Sequence, residues 1–213
     1  MVCSVIENIA SENIACVPYR YQNIGDILQT LRNLGVSDDN TEGVLRFLRD
    51  QGQSDDPDLY LRKPFDPKPQ YPEQSRFSDG KTAVYYGAFE RETARAEVIY
   101  HLPSRLGRHG PAYYREVNCD FRGTAKDLRS HIRRLPFLTA DKEQGGYDKC
   151  NEVAKEAIGQ GLDGLLTKSA RRAEGTCVPV FRRDALSNSR PGRYIALSYD
   201  PISGTVAIDG DEN

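Results

Sequence analysis

The sequence predicts an α+β fold, and three observations carry that prediction. Along the chain the apolar period switches between helical and strand-like without settling into a regular β-α-β alternation. The strand-like runs are short and are bounded by Gly- and Pro-bearing turns. The length of 213 residues, with 38% hydrophobic and 28% charged residues, suits a globular chain able to bury a real core.

From Tyr21 to Gly35 the positions Ile24, Ile27, Leu28, Leu31 and Leu34 repeat at the spacing of an amphipathic helix, with Gly35 as its C-terminal stop. A second helix is expected from Thr41 to Gln51, with Val44, Leu45, Phe47 and Leu48 inward and Asp39, Asn40 or Thr41 as cap. The pair reads as an αα-hairpin. From Gln51 to Ser75, Pro57, Pro64, Pro67, Pro69 and Pro72 predict an irregular connection without a regular helix. Residues 1–70 are thus expected to be a helical segment and Pro-rich connection packed on a core of residues 71–213.

In that core, Thr82–Ala88 reads as a strand, and its alternation sends Tyr85 and Tyr86 to opposite faces. A helix follows from Glu92 to His101, ending before Leu102-Pro103. Ala112–Phe121 alternates as a strand, Ala125–Leu135 reads as a basic helix with Leu128 and Ile132 inward, and Tyr147–Ile158 as another helix stopped by Gly159-Gln160-Gly161. Short strands at Gly164–Thr167 and Cys177–Phe181 precede a hairpin from about Arg193 to Asp200 and Gly204 to Asp209.

Composition narrows the function. A formal charge of −2 gives no whole-molecule basic field, so any anion site must be local. No apolar stretch approaches the roughly 18 residues of a membrane span, and Met1–Asn8 has no basic region followed by an apolar core. A chain without membrane segment or Sec-type signal is expected. The five cysteines are scattered and show neither C-x-x-C nor Cys/His ligand spacing, so reduced thiols, a cytoplasmic location and no bound metal are expected.

Two constellations carry chemistry. In the first, Ser75-Arg76-Phe77 leads a turn into the Tyr85-Tyr86 strand, and Glu97 follows on the next helix, which groups Arg76, one tyrosine and Glu97 if strand and helix pack. Taken singly, Glu97 reads as an exposed carboxylate paired with an arginine, and Arg76 as a surface cation. In the second, Thr167–Gly175 places Ser169, Lys168, Arg171 and Arg172 in a loop at a strand end, with hydroxyl, cationic and backbone N–H donors suited to phosphate. It lacks the spacing of a P-loop and reads equally as a solvated charged turn.

In this order the two constellations resemble the RES domain, a family named for an Arg, a Glu and a Ser. Arg76-Phe77-Ser78, Tyr86-Gly87-Ala88 and Thr93–Glu97 match its first block; Ser169-Ala170-Arg171 and Gly175–Phe181 match its later one. The resemblance runs from about Tyr71 to Leu186. Phe77 stands where some members carry Tyr, and Cys177-Val178-Pro179 where many carry Asn and small apolar residues.

The resemblance implies an ADP-ribosyltransferase-like core of short, mostly antiparallel strands that consumes NAD as substrate. Members are typically the toxin of a bacterial toxin–antitoxin pair with an Xre-type antitoxin, so nucleic acid enters only through that partner. It implies cleavage of the nicotinamide–ribose bond, with ADP-ribose passed to inorganic phosphate or water. Arg76, Tyr86, Glu97 and Ser169 would be catalytic, and Arg76, Phe77, Tyr86, Ser169 and Arg171 would contact NAD or phosphate. Glu97 would stabilise an oxocarbenium-like state. Nicotinamide leaves readily, so no metal is required. Other readings are transfer to a protein side chain and a catalytically silent nucleotide- or antitoxin-binding module. A third is a nucleic-acid binder using Lys126–Arg134, for which a solvated face is the plainer account.

Overall fold

The computed structural model describes residues 4–23, 35, 37, 40, 43, 57–66, 74–105 and 112–209. Among these, eight strands form one sheet: β1 (Ser11–Cys16), β2 (Tyr19–Asn23), β3 (Tyr85–Ala88), β4 (Ala112–Asp127), β5 (Gly164–Lys168), β6 (Thr176–Val180), β7 (Leu186–Asp200) and β8 (Thr205–Asp209). Three α-helices accompany them, α1 (Pro57–Arg62), α2 (Arg91–Arg105) and α3 (Gly146–Gly159). The architecture is α+β with a mostly antiparallel sheet; among the described strand pairs only β4 with β5 is parallel.

The long strand β4 is the spine. One edge carries β1 and β2 in unbroken register, Cys16 opposite Phe121 and Tyr19 opposite Asn118, interrupted where Val17-Pro18 leaves the ladder. The other edge carries β7 and then β5. From β2 the hydrogen-bonded path runs through β3, β6 and β5 back to β4, so these strands close a small barrel. Its thinnest seam is β2–β3, paired only through Tyr19 and Ala88.

Strand alternation sorts side chains to the two sides of this barrel. Tyr85, Cys119, Phe121, Ala125, Leu166, Val178 and Val180 fill one apolar cluster, with Tyr85 fully buried. Their neighbours face outward. Tyr86 and Leu165 meet α3 through Cys150, Val153, Ala154 and Ala157. Ala88 joins Ala94 and Leu102 of α2, with Tyr21, Tyr114, Ile195 and Leu197. Each fully buried Leu or Phe contributes roughly 1.5–3 kcal/mol relative to exposure.

Several expectations are corrected. No helix starts at Tyr21, because Tyr21–Asn23 belong to β2 and pair with β4. The remainder of that helix, and nearly all of the one expected over 41–51, lies outside the described residues; Gly35 is described and has φ +80°, a left-handed value that favours glycine. The Pro-rich connection contains α1, since Pro57 is tolerated as first helical residue and Tyr60 and Leu61 are buried.

The basic helix over Ala125–Leu135 is absent. Ala125–Asp127 complete β4, paired with β1 and β5, and short 3₁₀ turns at Arg129–His131 and Pro136–Leu138 follow. Leu128 is buried as expected, but from a position just past the end of β4, where it packs in the cluster with Leu138, Val153 and Leu165. Helix α2 continues through Pro103 to Arg105, because a proline in the last turn removes only one backbone hydrogen bond.

Candidate active site

The site lies on the outer face of β3, β5 and β6, between α2 and the loop from β5 to β6. Its centre is the Glu97 carboxylate on α2. Ser169 donates its hydroxyl to Glu97 Oε1 at 2.6 Å, and the Cys177 thiol reaches the same oxygen at 3.4 Å. Among the described residues nothing hydrogen-bonds Oε2.

Ser169 closes a turn at the end of β5. Its oxygen accepts the backbone N–H of Arg171 at 3.0 Å and of Arg172 at 3.1 Å, which occupies its acceptor capacity and points its proton at Glu97. The loop is bound to α2 by further contacts. Thr93 donates to Glu90 at 2.7 Å and accepts from Arg172 at 3.1 Å, and Glu90 accepts the Thr176 N–H at 3.1 Å. This fit requires Gly175, where a Cβ would fall 2.5 Å from Thr93 Oγ1.

Two partners that also bond each other hold the Arg171 guanidinium. Its Nη2 meets Asp141 Oδ1 at 2.5 Å, its guanidinium lies 3.1 Å from the centre of the Tyr100 ring, and the Tyr100 hydroxyl donates to Asp141 at 3.3 Å. The Arg171 guanidinium holds the Asp141 carboxyl below the usual range.

Arg76 grips the same wall from the other side, donating from Nη1 to the carbonyls of Leu138 at 3.1 Å and Ala140 at 2.6 Å over the Tyr147 ring. It stands within electrostatic reach of Asp141 and of Cys177. The Tyr86 hydroxyl bonds Ser75 Oγ at 2.7 Å and accepts the Phe77 N–H at 2.9 Å, so it shapes the turn that carries Arg76. Burial pushes its phenol up to about 12. The Phe77 ring is in the core at 1% exposure.

The structure therefore joins Glu97, Ser169 and Arg171 in one cluster and sets Arg76 and Tyr86 behind its wall. Beside the cluster an open depression of about 630 Å³ is lined by the 168–174 loop, Arg129, Ile132 and Thr139. Its four cations each meet a carboxylate: Arg129 with Asp127, Lys168 with Glu174, Arg171 with Asp141, and Arg172 with Glu90. The cleft is charge-balanced, and the Arg171 guanidinium is engaged by Asp141.

The model of the RES domain matches residues 53–200. The chain belongs to the RES domain family. The match contains the whole stretch over which the motifs resemble that family. No curated protein matches this RES chain. Among solved structures it is similar to a chain of the M. tuberculosis MbcT-MbcA toxin-antitoxin complex, with 13% sequence identity, 88% of this chain and 87% of that chain covered, and a TM-score of 0.47.

Asp141, Tyr100 and Cys177 belong to this candidate site and were not assigned to it by sequence reasoning. Asp141 and Tyr100 sit in unremarkable polar and helical contexts with no motif to mark them. Cys177 is visible only as a departure from the family pattern. Among the described residues no three His, Cys, Asp or Glu side chains are grouped to hold a metal ion, and no helix is long and apolar enough to cross a membrane.

Proposed function

We propose that this RES chain cleaves the nicotinamide–ribose bond of NAD+, passing ADP-ribose to inorganic phosphate or water. In the same reading it is the toxin of a toxin–antitoxin pair, and an Xre-type antitoxin restrains it by covering the cleft. Family membership supports the substrate; the observation that carries the chemistry is the Glu97 carboxylate, oriented through Oε1 with Oε2 free of hydrogen bonds among the described residues.

Breaking the ribosyl bond sends its electron pair out with nicotinamide and leaves positive charge on the ribose ring. A fixed carboxylate oxygen beside that ring stabilises the charge as it develops and accepts a ribose hydroxyl. Arg171, on its Tyr100 platform, offers a planar fork to a phosphate group. Phosphate or water then bonds to the anomeric carbon, and water gives up its proton to solvent.

The test is incubation of purified protein with NAD+, with and without phosphate, and mass spectrometry of the products. Released nicotinamide is expected, together with a phosphorylated ADP-ribose if phosphate is the acceptor and free ADP-ribose if water is. Intact NAD+ after long incubation of folded protein refutes the proposal.

A further inference from the structure

The Cys177 thiol touches the carboxylate on which the proposed chemistry turns, and neither composition nor motif accounts for it. Cys177 sits on β6 between Ala88 of β3 and Thr167 of β5, on the face opposite the buried Val178. Strand pairing on both sides fixes its Cβ direction, so the sulfur has little freedom to turn away. It lies 3.4 Å from Glu97 Oε1, the oxygen that Ser169 holds at 2.6 Å. Ser169 comes from the loop after β5 and Cys177 from the strand after that loop, so two elements each supply one donor to the same oxygen.

We infer that Cys177 is a positioning residue, whose S–H donates to Glu97 Oε1 and, with Ser169, holds the carboxylate so that Oε2 faces the reacting ribose. This rests on the reading of Glu97 as the charge-stabilising group. Burial first, and the Glu97 charge second, push the Cys177 thiol well above its ordinary value, so the sulfur keeps the proton that it donates. A thiol is a weak donor beside a hydroxyl. It adds direction where Ser169 supplies most of the strength.

Two measurements test this. The S–H stretching band of Cys177, isolated as the infrared difference between wild type and Cys177→Ser, is expected at lower frequency than that of a free thiol and to move up in Glu97→Ala. That readout needs no NAD+. In kinetics, Cys177→Ala is expected to lower kcat about threefold to tenfold with KM within twofold, the loss of one modest hydrogen bond acting on geometry. Cys177→Ser, which restores a donor, is expected to recover most of it. A band that ignores Glu97→Ala, or Cys177→Ala at wild-type kcat, overturns the inference. Impairment of the Ser variant equal to that of the Ala variant also overturns it. If wild type leaves NAD+ intact, the proposed function fails, while the infrared band still decides the hydrogen bond.

Discussion

Glu97 has two unlike oxygens, one tied by Ser169 and Cys177 and one bare among the described residues. Glu97→Gln keeps the shape and most of the hydrogen bonding but removes the countercharge. Turnover of NAD+ is expected to fall about 10²- to 10³-fold, roughly 2.7–4 kcal/mol of transition-state stabilisation, while NAD+ affinity changes far less. Stopped assays beside equilibrium binding measure the split; equal losses in both would make Glu97 a binding group. The arginines separate by their attachments. Arg76 bridges two carbonyls through Nη1 while its planar guanidinium lies over Tyr147; a lysine could bridge carbonyls but loses the planar group and the reach, so Arg76→Lys should cost at least tenfold in kcat/KM, about 1.4 kcal/mol. Arg171→Lys, which keeps its charge beside Asp141, should cost less. Glu97, Ser169 and Arg171 were legible because each sits in a short ordered motif. Asp141 was not, because its partners Arg171 and Tyr100 come from distant stretches of chain and only the packed wall brings them together.

Helix α2 and the β5–β6 loop meet through an interlock in which Thr93, Glu90, Arg172 and Gly175 leave no spare volume. Gly175→Ala is expected to push the loop off α2, lower stability by about 1–3 kcal/mol and lengthen the Ser169–Glu97 contact. Denaturant midpoints and residual NAD+ turnover on the one variant check both; a variant with wild-type values in each would mean that the loop yields freely. A second tie runs from the turn before β3 to α3. Asp79 pairs with Lys155 at 3.1 Å and accepts N–H groups of Lys81 and Thr82, which together hold its carboxyl down to about 2. A carboxyl depressed in the folded state stabilises fully above its unfolded value near 4 and loses that contribution as pH falls toward 2. Wild type should therefore lose stability over that interval, and Asp79→Asn should lose less of it, as followed by unfolding at stepped pH. Helix α3 was legible because its apolar positions keep one period from Tyr147 to Ala157. The supposed helix after Ala125 was not, because Leu128 and Ile132 satisfy helical spacing while the actual partners of Ala125–Asp127 lie on β1 and β5.

The fold class was readable from the mixture of periods, but barrel closure was not, since it depends on which strands pair across long separations. Residues 11–23 belong to the same sheet as strands beyond residue 160, a joining that no local pattern announces. Among the described residues four cysteines are free and distributed through this body: burial pushes Cys16 up to about 12 and Cys150 up to about 11, raises Cys119, and raises Cys177 well above its ordinary value. At pH 8 these thiols are expected to resist alkylation in the native protein and to react promptly in denaturant. Peptide mapping of the alkylated cysteines measures it, and rapid native labelling of Cys119 would contradict the barrel's closure.

The spine strand β4 is gripped by β1 and β2 from before it and by β5 and β7 from after it. On a translating ribosome those partners emerge in order, and the later ones come last. A nascent chain can zip β1 and β2 onto β4, yet Ser169 meets Glu97 only after β5 and β6 have left the exit tunnel and docked. Sheets built from such distant pairings also fold slowly. Synthesis thus imposes a delay between making Glu97 and bringing Ser169 to it. Under the proposed function, ribosome-bound chains stalled before residue 164 should be inert toward NAD+, and the interval before full activity is time in which the proposed antitoxin can reach the molecule first.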